Sequence, residues 1–197
     1  MGELVKGKNV LITGAGHNIG RSVALEMARE GANVYFTDID RARCKSVEKE
    51  LSNYNVSVKG TVSDITSESD TDTLCGWFSN ERINVDILVN NVGVDTEGRA
   101  RQRSLVNKVI GRIEARTKAR RRLQTWRDLY DTNVFGPKYL TDRITEMMMS
   151  SGVQGSIIFT TSIHQWTIML DAAYSSSKAA LGMVIKELAL TLAPHGI

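Results

Sequence analysis

Along the chain, short apolar runs rich in β-branched residues alternate with longer stretches in which apolar positions recur every three or four residues. The runs NVLIT (9–13), NVYFT (33–37), VSVKGTV (56–62), DILVN (86–90) and SIIFTT (156–161) predict strands. Between the first two, Ile19, Val23, Ala24, Met27 and Ala28 fall at helical spacing, and Gly31 supplies a C-terminal stop. Further helices are predicted over about 40–52, 67–80, 125–150 and 173–193. Strands that are apolar without alternation are buried on both faces, as parallel strands covered by helices are. The repeated order strand, helix, strand therefore predicts an α/β fold built on a doubly wound parallel sheet with right-handed crossovers. The 197 residues suit one domain, residues 1–197. Ligands in such sheets bind beyond the carboxyl ends of the strands, so those positions are where chemistry is sought.

Composition narrows the class without naming it. Hydrophobic residues at 42% and charged residues at 24% are those of an ordinary globular protein. No apolar run approaches the roughly 18 residues of a membrane span, and the N-terminus lacks the pattern of an export signal. Cys44 and Cys75 have neither metal-ligand spacing nor a disulfide framework. A cytoplasmic setting is expected, with no metal site. The net charge of +3 hides an asymmetry: residues 99–122 hold ten Lys or Arg against Glu114, a segment of +9 that leaves −6 elsewhere. Leu105, Val109 and Ile113 lie at helical spacing there, so the segment reads as a basic insertion, chiefly a solvated surface helix or loop. No aromatic residue is interleaved in it, which argues against nucleic acid as a partner.

The strand ends carry the candidate chemistry. After the first strand comes TGAGHNIG, residues 13–20, with glycines at 14, 16 and 20. A glycine-permitted turn into a helix N-terminus can hold a pyrophosphate, although the common G-x-G-x-x-G spacing would need glycine where Ile19 stands. After the second strand comes Asp38, suited to accept from ribose hydroxyls and to repel a 2′-phosphate, or to cap the next helix. Arg41 and Arg43 stand near enough to reverse that preference. Asp64, beside Ile65, can accept from an adenine amine or cap a helix, and Asn90-Asn91-Val92-Gly93 places polar groups and a glycine after the fourth strand. After the fifth strand come Ser162 and His164, then Tyr174 and Lys178, four apart on one helix face. A tyrosine acting as a base at neutral pH needs its pKa lowered by about three units, roughly 4 kcal/mol. A lysine ammonium about 4 Å away at an effective dielectric near 20 supplies about that much.

Together these residues resemble the short-chain dehydrogenases/reductases, in order and along nearly the whole chain. TGAGHNIG is similar to the family's T-G-x-x-x-G-x-G, NNVG to its N-N-A-G, Asn133 in DTNVFG to its helix asparagine, and Ser162, Tyr174 and Lys178 to its catalytic set. The resemblance implies a Rossmann-type sheet flanked by helices and hydride transfer between a nicotinamide cofactor, NAD with NADP still open, and a secondary alcohol or carbonyl. It implies Tyr174 as acid/base, Ser162 hydrogen-bonding the reacting oxygen, and Lys178 lowering the tyrosine pKa and holding the ribose. Asn133 would anchor a water in a proton relay. Thr13, Gly14, Gly16, His17, Asn18, Ile19, Gly20, Asp38, Asp64, Ile65, Asn91, Gly93, Tyr174 and Lys178 would bind the cofactor. His164 after Ser162 resembles an arrangement in sugar dehydrogenases of the family, which points to a sugar or polyol. The alternatives are a 3-oxoacyl reductase acting on a carrier protein and a cofactor-binding module without turnover. A small-molecule substrate is implied, as is a homo-oligomer, dimer or tetramer, through the helices over 125–150 and 173–193, with Met147, Met148 and Met149 as candidate surface.

The chain departs from the pattern in three places. Asn18 stands where the family has its second glycine, a substitution expected to survive because Asn enters the left-handed region readily. The basic segment lengthens the connection after Gly93. The sequence stops at LAPHGI, ending at 197, where family members continue into further strands, so the last strands are expected to be absent.

Overall fold

The computed structural model describes residues 4–95 and 115–197. Five parallel strands, β1 (Asn9–Thr13), β2 (Asn33–Asp38), β3 (Val58–Val62), β4 (Ile87–Asn90) and β5 (Ser156–Phe159), form one sheet in the order β3-β2-β1-β4-β5. The helices are α1 (Asn18–Arg29), α2 (Arg41–Leu51), α3 (Glu68–Asn80), α4 (Ala115–Tyr130), α5 (Gly136–Ser151) and α6 (Ala172–Leu192). Alternate residues of β1 serve opposite faces, as a pleated strand requires. Val10 and Ile12 pack with Ala24, Ala28, Val47 and Leu51 of α1 and α2. Leu11 packs with Leu74, Phe78, Leu140, Ile144 and Met148 of α3 and α5. The sheet is thus covered on both sides, and the strand order reverses between β1 and β4. That switch opens a crevice at the strands' carboxyl ends.

The expected strands occur within a residue or two of the predicted bounds, and three expectations are corrected. The helix expected over 125–150 is instead two helices joined by a π-helix over Asp131–Phe135, with Asn133 at its centre. Ile19, expected on the buried stripe of α1, is 62% exposed; Gly20, Ala24 and Ala28 form that stripe, small residues that let the helix approach the sheet. Met148, grouped with its neighbours as candidate surface, is core. The basic segment over 99–122 lies outside the described residues up to 114, as does the helix proposed around Leu105, Val109 and Ile113; residues 115–122 open α4. Among the described residues, no helix is long and apolar enough to cross a membrane, and no group of side chains is arranged to hold a metal ion.

Candidate functional site: a dinucleotide crevice with a tyrosine and a buried lysine

β1 ends at Thr13 and turns through Gly14, whose φ of +65° suits glycine. The turn is packed so closely that side chains are excluded from it. A Cβ on Gly14 would lie 2.9 Å from Val92 Cγ2, one on Gly20 would meet the Gly14 carbonyl and Asn91 Nδ2, and one on Gly16 would meet the Asp38 carboxylate. Asn18 opens α1 at φ +47°, the left-handed conformation expected of Asn at the position of the missing glycine. His17 is extended and its side chain does not cap the helix; the first turn of α1 holds no acidic residue. The helix therefore presents free N–H groups and its positive dipole end to the crevice, over a cradle that only glycine leaves open. This arrangement fits a pyrophosphate.

Neighbouring side chains lock the turn to the strands beside it. Asn91 Nδ2 donates to the carbonyls of Thr13 (3.1 Å) and Gly14 (3.2 Å), while the Thr13 hydroxyl accepts from the backbone N–H groups of Asn91 and Val92. Asp38, buried at the end of β2, accepts from Gly16 N (3.0 Å) and Asp40 N (3.0 Å). Asp38 does not cap α2; Asp40 does, accepting from Ala42 and Arg43. Asp64 likewise leaves the capping of α3 to Ser67 and uses Oδ1 to accept from the N–H and hydroxyl of Thr66. Ile65, next to it, is half-buried, and its carbonyl crowds Gly136 at the start of α5.

At the carboxyl ends of β4 and β5 a second constellation converges. Lys178 is 97% buried (3% exposed), and its Nζ donates to the Thr160 carbonyl at 3.0 Å. Burial without a carboxylate partner lowers its pKa to about 8. Nζ lies over the Tyr174 ring, 5.8 Å from its centroid, so the ammonium and the tyrosine face one another as their four-residue spacing predicts. Asn133, fully buried in the π-helix, accepts from Val94 N (2.9 Å) and donates to Val94 O (2.9 Å) and Ser177 Oγ (3.0 Å). A π-helical turn inside a helix is commonly found at functional sites, and here it aims this one amide inward. Gly93 closes the group: a Cβ there would lie 3.1 Å from Lys178 Nζ and 3.6 Å from Asn133 Oδ1.

Tyr174 sits in the first turn of α6, where Asp171 caps its backbone N–H. The His164 ring packs edge-on against Tyr174 at 4.8 Å, and its Nδ1 lies 3.0 Å from Ser175 Oγ. Ser162 Oγ accepts from His164 N at 3.2 Å, which leaves the hydroxyl proton free to be donated elsewhere. Thr160 Oγ1 links this half to the other by donating to Asn91 Oδ1 at 3.4 Å. Sequence reasoning missed the Thr160 carbonyl, Val94 and Ser177. Backbone groups carry no residue signature, and nothing distinguishes Ser177 from its neighbours in YSSSK.

Comparison with known proteins agrees with this geometry. A family model described as short chain dehydrogenase matches residues 8–197. The chain is 27% identical over 195 residues to a 3-oxoacyl-acyl-carrier-protein reductase of Aquifex aeolicus, covering 98% of this chain and 71% of that one. Its fold matches a short-chain type dehydrogenase/reductase from Mycobacterium marinum with a TM-score of 0.82 at 27% identity, over 98% of this chain and 70% of the other. It also matches a 7α-hydroxysteroid dehydrogenase, solved with NADH and 7-oxo glycochenodeoxycholic acid, with a TM-score of 0.80 at 27% identity, over 99% and 69%. The sheet, the turn and the matched sequence together make the chain a member of the short-chain dehydrogenase family, oxidoreductases that act on CH–OH groups with NAD(H) or NADP(H).

Proposed function

We propose that this chain transfers hydride between NAD(H) and a secondary alcohol or its ketone, with Tyr174 as acid/base. The observation that carries the proposal is the convergence of Lys178 Nζ and the Asn133 amide on Gly93, beneath Tyr174 and at the same crevice as the glycine turn. When bound, the nicotinamide would supply or accept the hydride. Tyr174 would give its phenolic proton to the carbonyl oxygen in reduction and take a proton from the hydroxyl in oxidation. Ser162, with one lone pair used by His164 N–H, would donate its proton to the same oxygen and hold it in place.

Lys178 has Thr160 O as its one hydrogen-bond acceptor among the described residues, so two ammonium protons are left for ribose hydroxyls. Asn133 acts through its side chain as a positioning residue, because its amide is committed to Val94 and Ser177. The buried Asp38 carboxylate at the end of β2 supports NAD over NADP. His164, against Tyr174 and beside Ser162, faces the region a substrate would occupy and supports a hydroxyl-rich substrate, a sugar or polyol.

The test is the appearance of reduced nicotinamide absorbance when the protein meets NAD and a panel of secondary alcohols, sugars and polyols. Turnover is expected; dinucleotide binding with no turnover on any member would leave a nucleotide-binding module in its place.

A further inference from the structure

Two of the serines in YSSSK return their hydroxyls to their own helix. Ser176 Oγ donates to the Ala173 carbonyl at 3.1 Å, and Ser177 Oγ to the Tyr174 carbonyl at 2.8 Å. Ser175 instead turns its Oγ off α6, to lie 3.0 Å from Nδ1 of His164, eleven residues earlier in the chain. A serine hydroxyl can donate to a bare ring nitrogen or accept from a protonated one, so this contact stands in either state of the imidazole.

The ring that Ser175 holds touches both side chains that the hydride-transfer reading brings to one oxygen. His164 belongs to a short 3-10 turn, Ile163–Gln165, that Ser162 begins. Its backbone N–H donates to Ser162 Oγ at 3.2 Å, and its ring meets the Tyr174 ring edge-on with centroids 4.8 Å apart. Among the described residues, no other hydrogen bond joins this turn to α6. The covalent route from Ser162 to Tyr174 is a poor spacer, because Trp166 to Leu170 are all exposed and Leu170 stands at a φ of +57°. Two other contacts between this stretch and α6 lie to either side. Lys178 holds the Thr160 carbonyl before Ser162, and Lys186 Nζ lies 5.5 Å from the Trp166 ring beyond the turn.

We propose that Ser175 is a positioning residue for hydride transfer: acting through His164, it fixes Ser162 relative to Tyr174. The inference rests on the reading of Tyr174 and Ser162 as the pair that meets the reacting oxygen. That oxygen must take a proton from Tyr174 while it accepts a hydrogen bond from Ser162. An error in the mutual placement of the two therefore weakens the transition state more than it weakens dinucleotide binding.

Ser175→Ala tests it, since alanine is the better helix former and leaves α6 intact. NADH affinity is read by nucleotide fluorescence, and turnover with NAD on glucose, xylitol and cyclohexanol. On whichever probe the wild type oxidises, kcat should fall by roughly three- to tenfold, the scale of one net hydrogen bond. NADH affinity should stay within about twofold, because the glycine turn is remote from Ser175. His164→Phe keeps a ring against Tyr174 and loses Nδ1, so adding Ser175→Ala to it should lower kcat no further. The inference alone is overturned by an unchanged kcat in Ser175→Ala, by an equal loss in the His164→Phe background, or by a fall in NADH affinity as large as the fall in kcat. Oxidation of none of the probes by the wild type would overturn the hydride-transfer reading, and the inference with it.

Discussion

The turn after β1 and the segment after β5 open onto the same crevice but are held in different ways. Around the turn, Asn91, Thr13 and Asp38 tie backbone to backbone across three strands, and the glycines leave no room for side chains to move. Beyond β5, the chain passes through Ile163, Trp166 (72% exposed), Ile168 and Leu170 (98% exposed), and Leu170 adopts a left-handed φ of +57°. Order on this side comes from α6, which buries Lys178 and Ser177 and carries Tyr174. The nucleotide half is a preformed cradle, tied to its neighbouring strands by hydrogen bonds and open at the free N–H groups that begin α1. The half proposed to be catalytic holds a buried ammonium against its preference for water, a local cost. The segment after β5 is built largely of exposed apolar residues and is the less constrained region.

If this contrast is right, the catalytic half should be the more sensitive to loss of a single amide. Asn133→Ala removes the partner of Val94 N and Val94 O at a partly buried place, leaves Ser177 Oγ with its bond to the Tyr174 carbonyl, and should destabilise the protein by about 1–3 kcal/mol. It should also lower turnover more than dinucleotide affinity, since the turn does not touch Asn133. Urea unfolding and binding titrations read both effects; a loss of affinity without loss of stability would reverse the assignment.

A second substitution should move stability the other way. Lys178 titrates at about 8 in the fold, against 10.5 for an exposed lysine. Between those values the unfolded chain binds a proton that the folded chain has released. Stability of the nucleotide-free protein therefore rises with pH across that window and is lowest below it. Lys178→Met should abolish turnover, raise stability near neutral pH by up to about 3 kcal/mol and remove the rise. An unchanged pH slope of the unfolding free energy would contradict the burial argument.

The smallest effect is expected in the nucleotide half. Asn18→Val forces a β-branched residue to the φ of +47° that Asn18 adopts, at a cost of roughly 1–2 kcal/mol, and should weaken dinucleotide binding. Asn18→Gly should restore both. Unchanged affinity in Asn18→Val would show that the turn's conformation is not what holds the pyrophosphate.

The same contrast explains what the sequence disclosed. The strands were legible because each is a continuous apolar run between helices, a pattern with few alternative folds. Asn18, Asp38, Asn91, Tyr174 and Lys178 were legible as candidates because they stand at strand ends or at helical spacing. The π-helix was not, since no glycine or proline within DTNVF marks an extra residue in the turn, and the bonds between Asn133 and Val94 that accompany it are tertiary. The double use of Asp38 was also hidden: its partners are a glycine N–H, which every sequence position offers, and two basic side chains brought in from other elements. Long-range pairing of a backbone group with a distant side chain leaves no periodic trace, so sequence locates the candidates and the fold assigns their partners.

The central claim is that Tyr174 moves the proton while the rest of the crevice holds the dinucleotide. The most direct measurement sets NADH binding beside turnover, on whichever alcohol or ketone the wild type accepts, in Tyr174→Phe. The account predicts a loss of turnover of about 10²–10⁴-fold with binding retained within a few fold. Turnover at the wild-type rate in Tyr174→Phe would contradict it.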